Sequence, residues 1–124
     1  MSIILDDVYQ MLVKELHDIP GDNIFKYTID EGYHLKTDDP IIRIVQLPSY
    51  PDKYADNTQL SQIYDIQIDI FWARGEPFSI GELIKMLMRM QSFQRTYEEP
   101  LYDEETRTFR SIRRFRGAFI LEEE

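Results

Sequence analysis

Tyr64-Asp65-Ile66-Gln67-Ile68-Asp69-Ile70-Phe71-Trp72 decides the fold. Tyr64, Ile66, Ile68, Ile70 and Trp72 share one parity; Asp65, Gln67, Asp69 and Phe71 share the other. Successive side chains of a strand point to opposite faces, so this period of two predicts one buried face and one mostly wet face. Gly75 and Pro77 interrupt the strand within 73–78. Ser79 stands three residues before Glu82, the spacing of a capping box, in which each side chain satisfies the other residue's free backbone N–H. Ile80, Leu83, Ile84, Leu87 and Phe93 then recur at helical spacing, with Met86, Met88 and Met90 widening the apolar stripe. A strand feeding directly into a helix is expected over 62–93, with the isoleucine face packed on the helix.

Working outward, residues 3–18 read as an amphipathic helix. Leu5, Val8, Met11, Leu12 and Leu16 share a stripe, Asp6 and Asp7 suit the positive end of the helix dipole, and Pro20-Gly21 ends the element. Residues 23–30 alternate as a strand whose Phe25, Tyr27 and Ile29 face is expected to be buried. Glu31-Gly32 suits a turn, because glycine accepts positive φ at little cost. Residues 33–39 allow either a strand extension at Tyr33 and Leu35 or a loop at Thr37-Asp38-Asp39-Pro40. Ile41 to Leu47 is β-branched and apolar on both faces, as near the middle of a sheet. Pro48 to Leu60, polar and broken by Pro48 and Pro51, reads as one long irregular loop. Tyr50 and Tyr54 make it a candidate contact loop, since tyrosine offers contact area at low entropy cost. After the helix, residues 97–102 and 107–121 form an expected hairpin turning at Asp103-Glu104-Glu105-Thr106, with Pro100 marking an edge or a bulge. Glu122 to Glu124 is an acidic end expected to fray. The expected class is α+β: a mainly antiparallel sheet of four to five strands, two helices packed on it, and a closing β-hairpin, all in a single domain over 1–124.

The charge balance narrows the partners. A formal net charge of −9 opposes general binding to phosphate backbones. With no cysteine, disulfides, thiolate metal sites and cysteine nucleophiles are all excluded. The start of the chain lacks the basic flank and apolar length of a signal peptide, and no apolar run approaches the ~20 residues of a membrane span, so no membrane partner is expected.

Candidate chemistry is sparse. Asp65 and Asp69 share a face, but on a strand they stand about 13 Å apart, too far to share one ion unaided. With Gln67 between them they are expected to form a solvated face. His17 and His34 match no metal-ligand spacing, and neither a phosphate loop nor a nucleophile elbow is present. No catalytic residue, metal or cofactor is expected. The sharpest anomaly is Arg107, Arg110, Arg113, Arg114 and Arg116, five of fourteen basic residues within ten positions. Alternation sends Arg110, Arg114 and Arg116 to one face and Arg107 and Arg113 to the other. They are read either as partners of Glu98, Glu99, Asp103, Glu104 and Glu105 across the hairpin, or as a basic strip that meets an acidic surface or nucleic acid. One basic strip on an acidic chain suits head-to-tail assembly of identical subunits.

The strand 64–72, the helix over 79–93 and a hairpin ending Phe115-Arg116-Gly117-Ala118-Phe119 together resemble the small tail proteins of long-tailed bacteriophages, in particular the tail terminator, or tail completion, group. The resemblance covers nearly the whole chain and rests on element order and sequence texture. It implies a structural protein rather than an enzyme, with no cofactor. Such a subunit is monomeric before assembly or forms a ring, usually of six, that ends the tail tube and docks it to the head connector. The implied partners are further copies of the chain, the tail tube protein and the connector protein, with DNA passing through the channel. The implied location is the virion's head–tail junction, reached from the bacterial host cytoplasm. The alternative is a small phage or bacterial regulatory protein that binds a protein partner through the arginine strip. An ion-dependent enzyme built around Asp65, Asp69 and Glu82 is a third class.

Overall fold

The computed structural model describes the backbone of residues 3–48, 50–55, 58–105 and 107–120, and side chains over 4–48, 61–105 and 107–119. Among these residues two α-helices, α1 (Ile3–Glu15) and α2 (Phe78–Met90), accompany six strands: β1 (Ile24–Lys26), β2 (Ile41–Gln46), β3 (Tyr50–Ala55), β4 (Thr58–Trp72), β5 (Gln94–Asp103) and β6 (Thr108–Ile120). Five strands run β1-β2-β4-β6-β5, and β3 pairs with β4. Among the described strands only β1–β2 is parallel. The protein is therefore α+β with a mostly antiparallel sheet, as expected.

β4 is the spine. Its 66–71 segment pairs with β2, its 58–63 segment with β3, and its opposite edge pairs with β6 from Ser61 to Trp72. β2 and β3 thus follow one another along the same edge of β4. The expected 48–60 loop is corrected here: most of it is the outer half of a long hairpin. The sequence reads as loop because of Pro51 and its polar neighbours. An edge strand tolerates a missing N–H, and register shifts between Pro51 and Lys53 and between Lys53 and Tyr54 absorb the irregularity.

One sheet face carries the core. Ile42, Ile44, Ile66, Ile68 and Phe115 are fully shielded from solvent and pack with Leu5, Val8, Leu12 and Leu16 from α1 and its end, and with Ile84, Leu87 and Met88 from α2. Each such side chain contributes about 1.5–3 kcal/mol on leaving water, so this face dominates stability. Both helices lie on it, and among the described elements no helix lies on the other.

Three local expectations change. α2 begins at Phe78 with Pro77 as its N-cap and no side-chain cap bond, so Ser79 and Glu82 form no capping box. The Pro77 carbonyl instead accepts from the N–H groups of Ile80 (3.1 Å) and Gly81 (3.2 Å). Met86 and Met90 are exposed while Met88 is buried. They fall about 160° around the helix from Met88 and about 120–160° from Ile84, so they leave the stripe rather than widen it. β1 turns Ile24, not Phe25 and Tyr27, toward the core. Parallel pairing places Ile24 beside Ile42, and Tyr27, at φ 67°, breaks the alternation. Phe25 meets Tyr33 edge to face with ring centroids 4.9 Å apart.

Residues 33–35 form a short 3-10 turn after Gly32, whose φ of 73° confirms the glycine turn. Asn23 is buried and holds this region, donating to the Pro40 carbonyl (3.2 Å) and accepting from the Tyr33 hydroxyl (2.6 Å). The final hairpin forms as expected, with β5 at the sheet edge and a register shift between Arg95 and Tyr97. Thr106 in its turn and the acidic end, Glu122 to Glu124, lie outside the described residues.

Candidate interaction face

The sheet face without helices is built by register. Arg43 on β2 lies opposite Asp69 on β4, Phe71 opposite Arg110 on β6, Gln67 opposite Arg114 and Asp65 opposite Arg116. Four guanidinium groups thus share a face with Asp65, Asp69 and, from β5, Glu99.

At its centre is Asp69, with no solvent exposure. Its carboxylate Oδ2 accepts from Arg43 Nη2 (2.6 Å) and Nε (3.0 Å) and from Arg110 Nη2 (3.2 Å). Gln67 Nε2 donates to Oδ1 at 3.1 Å. Burying a carboxylate is costly unless it is paired and hydrogen-bonded, and here Arg43, Arg110 and Gln67 all donate to it. Phe71 completes the cover: both guanidinium carbons lie over its ring, Arg43 at 5.6 Å and Arg110 at 5.4 Å from the centroid. The expected solvated Asp65–Asp69 face is therefore corrected. Asp65, on the same face, is also largely shielded, its side chain only 15% exposed, and binds Arg116 by a fork (2.9 and 3.2 Å).

Arg114 differs. Its Nε donates to Gln67 Oε1 at 3.1 Å, and its guanidinium lies 5.0 Å over the Tyr97 ring, yet it faces solvent with no carboxylate partner among the described residues. The Tyr97 hydroxyl donates to Glu99; this bond raises the tyrosine's pKa above its ordinary value.

The remaining sequence candidates divide. Arg107 sits in the hairpin turn at φ 56°, exposed. Arg113 lies on the core side, 8% exposed, where its Nε donates to Ser111 Oγ (3.2 Å) and its Nη1 lies 3.8 Å from Glu98. Tyr50 and Tyr54 belong to β3, and their side chains lie outside the described residues. Most of the carboxylates that answer the arginines come from β4 rather than from the acidic arm of β5. Sequence reasoning missed Arg43. A lone charge within the apolar run Ile41-Ile42-Arg43-Ile44-Val45 was the signal for a buried partner.

Among the described residues, no group of three or more His, Asp or Glu side chains is placed to hold a metal. No described helix is long and apolar enough to cross a membrane. The chain matches no protein-family model and no curated protein sequence.

Proposed function

We propose that this chain is a structural subunit of a long-tailed bacteriophage: a tail terminator that assembles with further copies into a ring, ends the tail tube and docks it to the head connector. The observation that supports this most is the arginine-bearing sheet face, uncovered by any described helix, on a chain of net charge −9. The core spends its apolar residues on the other face, so this one is left for polar contact. Arg114, exposed and with no carboxylate partner among the described residues, and Arg116 beside it are the groups through which an acidic surface of a neighbouring copy docks. The long hairpin of β3 and β4 gives such a subunit a second element for contact.

The deciding experiment is electron microscopy of particles made without this protein. Free heads beside overlong tails are expected. Normal virions would overturn the proposal.

A further inference from the structure

A second feature of the uncovered face is independent of assembly. The segment 28–34 and the end of the sheet line a half-open cavity of about 430 Å³. That is within the range of small-ligand sites. Ile41 and Phe71 line it from the sheet, Ile29 from the segment, and Asp30, Glu31 and Asp103 from the segment and hairpin. The lining is mostly apolar and its charges are mostly negative. Arg43 also reaches the cavity, but its fork is committed to Asp69. Neither Asp30 nor Glu31 has an ion-pair partner among the described residues. The cavity is held open by structure rather than by chance: Gly32 takes a left-handed turn, and Tyr33 anchors the segment to buried Asn23.

We propose that this cavity binds an aliphatic cation, a methylene chain carrying an ammonium or guanidinium group. The methylenes would cover Ile29, Ile41 and Phe71, and the cationic head would meet Asp30 and Glu31. A compact metal ion fits poorly, because the described acids are not gathered closely enough to ligate one. An anion fits poorly as well, because the acids of the lining repel it. The same chemistry is carried by a free polyamine and by a lysine or arginine side chain of a partner protein.

The test is a methyl NMR titration of the full chain with spermidine and, separately, with Nα-acetyl-lysine methylamide. Saturable shifts at the Ile29 and Ile41 methyls are expected from at least one probe. Tighter saturation by spermidine assigns the site to free polyamines; tighter saturation by the lysine derivative assigns it to a basic side chain. The folded double variant Asp30→Asn, Glu31→Gln should bind at least tenfold more weakly, while Glu82→Gln on α2 should bind as the parent does. Absence of saturable shifts with both probes would overturn the proposal. So would undiminished binding by the Asp30→Asn, Glu31→Gln variant with its fold verified by the core isoleucine methyls.

Discussion

Arg43 Nη2 stands 2.6 Å from Oδ2 of Asp69, a carboxylate with no solvent exposure, on a sheet face that no described helix covers. The shielding comes from the cations that neutralise the acid and from the Phe71 ring beneath them. A buried charge of this kind is safer to replace whole than to break.

Asp69→Asn is accordingly expected to destabilise the fold by about 3–5 kcal/mol, because two guanidinium groups lose their charged partner. The triple change Asp69→Leu, Arg43→Met, Arg110→Met should recover most of that loss. Urea unfolding followed by Trp72 fluorescence measures both. Equal losses in the single and triple variants would contradict the network described here.

Gly81 in α2 is shaped by Arg113. A Cβ at Gly81 would lie 2.5 Å from Arg113 Nη2 and 2.8 Å from its Cζ. Alanine gains about 1 kcal/mol over glycine inside a helix, and overpacking costs about 1–3 kcal/mol. Gly81→Ala should therefore cost about 1 kcal/mol in the parent protein and stabilise by about 1 kcal/mol in an Arg113→Ala background. A double-mutant cycle in denaturant reads this reversal of sign.

Tyr97 should ionise above the ordinary tyrosine value. Its hydrogen bond to Glu99 favours the neutral phenol and raises the pKa. The sign follows from linkage: the contribution to stability is whole below the ordinary tyrosine pKa and vanishes as pH climbs through the raised value. Ultraviolet titration should show one high-pH phenol that disappears in Tyr97→Phe and moves down in Glu99→Gln.

Charge reversal at Arg114 tests the proposed assembly apart from folding. Arg114→Glu breaks no carboxylate pair among the described residues but loses the bond to Gln67 and the contact with Tyr97, so it should destabilise by about 1–2 kcal/mol and leave the fold intact. Light scattering should nonetheless show weaker self-association in the variant. The parent's association should fall as salt rises from 0.05 to about 0.5 M, because surface charge contacts are screened over about 10 Å or less at 0.1 M and above.

The sequence by itself determined the α+β class, the placement of both helices and the 64–72 part of β4, though not its start at Thr58, because the periods 2 and 3.6 report which residues leave water. It also placed the final hairpin, whose turn and edge proline are local chemistry. It could not read β3, since strand formation there depends on an available edge of β4 more than on the composition of 50–55. Nor could it read the fate of Asp69. Alternation assigned that residue to the outer face correctly, but whether an outer face is wet depends on what lies across the strands. Arg43 and Arg110 reach Asp69 from positions 26 and 41 residues away. Only the tertiary register brings those charges together, and only then does a row of polar residues become an ion-pair network around a buried carboxylate, with Arg114 and Arg116 left at its exposed end.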